Sequence, residues 1–207
     1  MTDPTTPQMA PTPPARPSRT RRILIIAIAV VVAIAAYFGT QFVLHAINDP
    51  ATPAPSETAE DEADGYKPYT SEADGFSVTG PGTAQRSEST QTVEGVEITQ
   101  SQTAWTDGGA SFIVGSAGLP DSDASIDEVL EGSLSGMTDA IAGSTVRESE
   151  RITVHGEPAV AGVLDIDGSP SYQFLIVLHN GRQFVLLANE LDDSRDEDFL
   201  ASFDFTS

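Results

Sequence analysis

Hydrophobic and polar residues alternate in three different ways along the chain, and each regime predicts a different kind of structure. Residues 23–38 are continuously apolar, and with Gly39, Thr40 and Gln41 the run extends to Ile47. As a helix those 25 residues reach about 37 Å at ~1.5 Å each, more than the ~30 Å hydrocarbon core of a bilayer. From Tyr66 onward the pattern becomes that of short strands separated by turns. "GFSVTGPG" reads as a strand stopped by Gly-Pro-Gly. "QRSESTQTV" and "VEITQSQTAW" flank Glu94-Gly95, and the second, rich in Thr and Gln, is expected to be an exposed outer strand. Asp107-Gly108-Gly109 turns the chain into "ASFIVGSAGL".

A helix interrupts the strands. Ile126, Val129, Leu130, Leu134, Met137 and Ile141 recur at helical spacing, Ser125 with Glu128 forms a capping box, and Gly143 supplies a stop. Four more strands follow: "TVRESERITVHG", "PAVAGVLDI", "SYQFLIVLHN" and "RQFVLLANEL". Asp167-Gly168 and Asn180-Gly181 are hairpin turns between the last three. In the third of these strands Tyr172, Phe174, Ile176 and Leu178 share one face and Leu175 and Val177 the other, so layers are expected on both sides of the sheet. Ser194 and Glu197 repeat the capping spacing before a short last helix containing Phe199, Leu200 and Phe203. The expected fold is α+β: a largely antiparallel sheet with helices packed on it, four strands and a helix, twice over, preceded by one transmembrane helix.

Several of these segments together resemble a known group. "GFSVTGPG", "VHGEPAVAG", the hairpin "FLIVLHNGRQFVLLA" and the ending "FLASFDF" look like the PsbP/Mog1-like α/β/α sandwich domains, over residues 66–207. The resemblance implies an accessory or binding role without catalysis, and it supplies no site residue.

Charge adds an orientation. Before the apolar run stand Arg16, Arg19, Arg21 and Arg22 against the single acid Asp3; after it, 30 acids face six bases. Arginines at one end of an apolar helix place that end in the cytoplasm. The expected organisation is a proline-rich cytoplasmic tail over 1–22, a transmembrane helix over 23–47 that contacts the lipid bilayer, an acidic, proline-stiffened linker over 48–65, and an extracytoplasmic domain over 66–207. Cleavage as a signal peptide is the alternative; Ala33-Ile34-Ala35 fits the small-x-small pattern but lies inside the apolar run. The acidic body argues against nucleic acid as a partner, and the absence of cysteine excludes disulfides and thiolate chemistry.

Candidate chemistry is sparse. His45 falls at the outer end of the apolar run, and His155 and His179 precede separate turns, which does not make a metal site. "DSDASIDE" places Asp121, Asp123, Ser125 and Asp127 at alternate positions, yet a calcium loop would need glycine and glutamate where Ile126 and Gly132 stand. Acids at a helix N-terminus account for that string, and for Asp192, Asp193, Asp196, Glu197 and Asp198 at the last helix. "GSLSG" at 132–136 has leucine where a nucleophile elbow needs serine. No catalytic, cofactor-binding or metal-binding residue is assigned. The expectation is a non-enzymatic, membrane-anchored extracytoplasmic module that binds a protein partner through an exposed apolar patch. The alternative is a domain that binds a small apolar ligand in a cavity lined by Phe112, Met137 and Leu134.

Overall fold

Two consecutive residues in the left-handed region form each of the tightest turns. Asn180 and Gly181 have φ of 48° and 70°, and His155 and Gly156 have 50° and 90°. Such pairs make type I′ turns, whose twist matches that of the strands they join. Each therefore fixes a hairpin in register: His179 opposite Arg182, and Val154 opposite Glu157. His155 is thus a turn residue itself, and Glu157-Pro158 already begins the next strand.

The computed structural model describes residues 65–93, 96–107, 110–120, 123–168, 170–189 and 195–206. The arginine-bearing tail, the apolar run and residues 48–64 of the linker lie outside the described residues, as do Asp121 and Ser194. Among the described residues no helix is long and apolar enough to cross a membrane.

Ten strands and two helices are described, in the order β1 (Tyr66–Ser71), β2 (Phe76–Pro81), β3 (Gln85–Val93), β4 (Val96–Asp107), β5 (Ala110–Gly118), α1 (Ile126–Ala140), β6 (Ser144–Val154), β7 (Glu157–Ile166), β8 (Tyr172–His179), β9 (Arg182–Asn189), α2 (Arg195–Ala201) and β10 (Asp204–Phe205). Seven strands form one antiparallel sheet in the order β3-β4-β5-β9-β8-β7-β6, and β1-β2-β10 form a small second sheet. The expected antiparallel α+β architecture is present, with two additions. Sequence pattern misses β1, where Pro68 and Lys67 interrupt any alternation, and β10, which is two residues long. It also places "GFSVTGPG" without showing that this strand leaves the main sheet for the small one.

The two faces of the large sheet bury different cores. On one, Val129, Leu130 and Met137 of α1 pack against Ile98, Ile113, Phe174, Ile176 and Val185. On the other, α2 and the small sheet bury an aromatic layer of Phe76, Trp105, Phe112, Phe184, Phe199 and Phe203. β8 divides as expected, with Phe174 and Ile176 on the first face and Leu175 and Val177 on the second. The second face is therefore covered by mixed strand and helix rather than by helix alone. Gly80 of β2 lies so close to Trp105 that a Cβ there would come within 2.8 Å of the indole. The aromatic bulk against this position is Trp105 of β4.

The capping box of α1 is present as read. Ser125 Oγ accepts from the Glu128 amide, and Glu128 Oε2 accepts from the Ser125 amide at 2.8 Å. Those bonds from Ser125, backbone first and hydroxyl second, hold the Glu128 carboxyl below its ordinary range. Ser125→Ala should lower stability by about 1 kcal/mol, read as a shift of the urea midpoint at unchanged slope. One residue of the expected apolar stripe does not join the core: Ile126 is 53% exposed, because it occupies the first helical position, a turn ahead of the residues that meet the sheet.

The strand "VEITQSQTAW" is not the outer one. β3 is the edge, and β4 lies second, with Gln100, Ser101, Gln102 and Thr103 all buried. Part of this polarity is met between strands: Gln100 Nε2 donates to Ser89 Oγ at 2.9 Å, and the Ser101 and Ser116 hydroxyls lie 3.1 Å apart.

Candidate functional site

The sandwich end where the β6–β7 hairpin, the β8–β9 hairpin and β10 meet brings together side chains from three distant parts of the chain. His179, at the end of β8, stacks flat on Phe205 of β10 with centroids 4.0 Å apart. Its Nδ1 lies 3.0 Å from Glu157 Oε1, and its Nε2 lies 2.9 Å from Asn180 Nδ2. An amide nitrogen only donates, so the Asn180 amide is the donor to Nε2, and Nδ1–H donates to the Glu157 carboxylate. Both nitrogens and one ring face of His179 are thereby engaged. His155 meets the same strand from the other hairpin. Its Nε2 is 2.8 Å from the Phe203 carbonyl oxygen, to which it donates, and 3.7 Å from Asp204 Oδ1.

The two histidines read from sequence as residents of separate turns thus flank a single two-residue strand. Among the described residues their hydrogen-bond partners are a backbone carbonyl, a carboxylate and an amide. Among the described residues no three His, Asp or Glu side chains are grouped so as to hold a metal ion. What the cluster does chemically is clamp the C-terminal strand. Its backbone is further tied where the Thr206 amide donates to the Gly75 carbonyl at 3.1 Å. Phe205→Ala removes the surface on which His179 stacks and the contacts of that ring with Phe184 and Phe203. It should cost about 2 kcal/mol in urea unfolding, less than truncation of a fully buried phenylalanine, because Phe205 is only half-buried.

A second polar gathering seals the seam between the sheets. Asp74, in the β1–β2 turn, is 3% exposed. It accepts from Arg86 Nε at 2.7 Å and Nη2 at 2.9 Å, and from Ser71 Oγ at 2.6 Å. Arg182 of β9 donates to the Asp74 backbone carbonyl at 2.6 Å. Burial pushes the Asp74 carboxyl up, but bonds from Arg86, Ser101 and Ser71 and the Arg86 charge outweigh it and hold the group at about 2. Sequence reading singled out neither Asp74 nor Arg86. The only local signal is Asp74-Gly75 ahead of a strand, which marks a turn and not a buried ion pair.

A third row lies on the α1 side of the large sheet. Gln100, Gln102 and Gln183 are buried there, and one amide atom of each (Oε1, Oε1 and Nε2) has no hydrogen-bond partner. Ser133 Oγ of α1 lies 2.7 Å from the Val129 carbonyl and 3.2 Å from Gln183 Oε1. Its one proton serves only the nearer of the two.

The remaining expectations fall out differently. Phe112 belongs to the aromatic face, whereas Met137 and Leu134 belong to the α1 face. The three cannot line one cavity, because the sheet stands between them. Asp127 is exposed and faces Arg151 at 3.7 Å, and Asp123 is likewise exposed. Among the described residues the exposed large hydrophobics are Val96 and Ile126, on different elements, so the apolar patch expected for a partner is not formed by them.

No family model matches the chain, and no curated protein matches it. Among solved structures it is similar to the cyanobacterial PsbP (CyanoP) of Synechocystis sp. PCC 6803, with 12% identity and a TM-score of 0.49, over 72% of this chain and 98% of that one. It is also similar to PA94 from Pseudomonas aeruginosa, a protein of unknown function described as a putative regulator, with 12% identity and a TM-score of 0.34, over 64% of this chain and 85% of that one. At these scores the likenesses carry no information on what this chain does.

Proposed function

We propose that this chain is a non-enzymatic module, held in the cell membrane by residues 23–47, that presents residues 66–207 outside the cytoplasm to bind a partner protein in a cell-envelope complex. The observation that carries this reading is the order of segments: arginines, then an uncharged apolar run of spanning length, then a proline-and-acid spacer, then the domain. Support for a non-catalytic role comes from the histidines, whose contacts hold the C-terminal strand. The ligand-binding alternative loses its support with Phe112 and Met137 on opposite faces.

The test is a full-length chain tagged at both ends and expressed in a bacterial host. The expected result is membrane retention after alkaline carbonate extraction, with the C-terminal tag digestible by external protease in spheroplasts and the N-terminal tag protected. Release of a soluble form shorter by roughly 3–4 kDa, or the opposite protection pattern, would overturn it.

A further inference from the structure

Four strand edges bound the two sheets: β3 and β6 on the large one, β1 and β10 on the small one. Three of them are blunted in ways that proteins use against unwanted pairing. β6 shifts register between Val146 and Glu148, and it carries Arg147, Glu148, Glu150 and Arg151 along its length. β1 contains Pro68. β10 is only two residues long.

β3 has none of these devices. Its nine residues pair with β4 in unbroken register from Gln85 to Val93, without proline. Its two charges stand near its start, where Arg86 is taken up by Asp74 and Glu88. Ser89, Thr90, Gln91 and Thr92 follow without charge, and Ser89, Thr90 and Thr92 are exposed. Among the described residues no strand pairs with the outer edge of β3, which runs about 30 Å at ~3.4 Å per residue.

We infer that the outer edge of β3 is a docking site for an extended, basic segment of a partner protein, which adds to the large sheet as an eighth strand. The inference rests on the partner-binding reading and names the surface that reading needs. The sign of the partner follows from charge. Residues 66–207 hold 24 acids and six bases, so pairing β3 with β3 of a second copy would bring two strongly negative bodies together, whereas a basic segment is drawn in. Position follows from register. Thr90 and Thr99 share a face, as their 3.1 Å hydroxyl contact shows. The side-chain period of two puts Glu88 and Thr92 on that same face, together with Glu97, which pairs with Thr92. A docked strand with lysine or arginine at alternate positions sets those cations beside Glu88 and toward Glu97. Backbone bonds supply the affinity and the charges supply the selection.

The experiment uses the full chain in detergent micelles and nine-residue synthetic peptides that alternate valine with lysine or with glutamate. The lysine peptide should bind saturably and at least about tenfold more tightly than the glutamate peptide. It should slow hydrogen exchange at alternate amides of β3 and leave β6 unchanged. The surface double variant Thr90→Lys/Thr92→Lys should weaken it by about fivefold or more with an unchanged unfolding curve. Absence of saturable binding, equal affinity for both peptides, or protection located outside β3 overturns the inference. A photo-crosslinking residue placed at Thr90 or at Ser149 of β6 in the intact membrane separates the two levels of the proposal. Crosslinks from Ser149 alone sink the β3 assignment and leave a partner-binding module. No crosslink from either position counts against partner binding itself.

Discussion

Gly162→Ala should destabilise the domain by about 3 kcal/mol, which is roughly a fifth to three-fifths of the ~5–15 kcal/mol reserve of an ordinary domain. A Cβ at residue 162 would collide with the Glu148 carbonyl oxygen and stand 2.8 Å from Phe174 Cζ and 2.9 Å from Ser149 Cα. Two of these are backbone atoms of β6, next to the register shift between Val146 and Glu148. The third belongs to a ring that is wholly buried. None is the loose end of a flexible side chain, so relief requires movement of the strand itself. Gly118→Ala is the matched control, because a Cβ there meets nothing within 4 Å, and it should stay within about 0.5 kcal/mol of the parent. Guanidinium unfolding of the three proteins decides the matter. A cost below about 1 kcal/mol at Gly162 would show that β6 and β7 are not pressed together at the bulge.

The second large effect concerns Asp74→Asn. This change keeps the shape and removes the charge to which Arg86 is bound twice. Breaking a buried pair outright costs ~3–5 kcal/mol, but the Arg86 side chain is 31% exposed and is partly rehydrated, so about 2–3 kcal/mol is expected at neutral pH. The pH dependence has a defined sign. The folded carboxyl is held at about 2 instead of 3.8, so the unfolded chain takes up the proton first as the solution is acidified. Stability from this group is fully present above pH 3.8, falls as pH drops toward the folded value, and is gone below it. The difference between wild type and Asp74→Asn should therefore shrink by about 2 kcal/mol between pH 5 and pH 2. A difference that stays constant over that range would sever the stability effect from the carboxylate.

Residues with a local instruction were legible in the sequence. Asn180-Gly181 needs two left-handed conformations in a row, and Ser125 with Glu128 needs a helix start, so each fixes its element whatever lies around it. Elements defined only by a distant neighbour were not. β10 is a strand because Asp204 and Phe205 pair with Ser77 and Phe76, and nothing in "DF" announces that. β4 shows why polarity misled: Gln100 and Ser101 are polar and buried, because polar residues of neighbouring strands meet part of their demand. The candidate site has the same origin. His155, His179, Glu157 and Phe205 come together through the order β9-β8-β7 and the placement of β10, neither of which is encoded near any of them.

Trp105, the chain's single tryptophan, sits where the small sheet meets the large one. It is 2% exposed, with Tyr69 and Phe199 edge-on at 5.3 and 5.7 Å and with Gly80 against its ring. The protein therefore carries an optical reporter at its internal joint. Its ultraviolet emission should be blue while β1, β2 and α2 remain seated and shift red when they lift away, even if the seven-stranded sheet persists. Because no second indole contributes, that one band reads the seating of the outer layer in the intact chain, without a label.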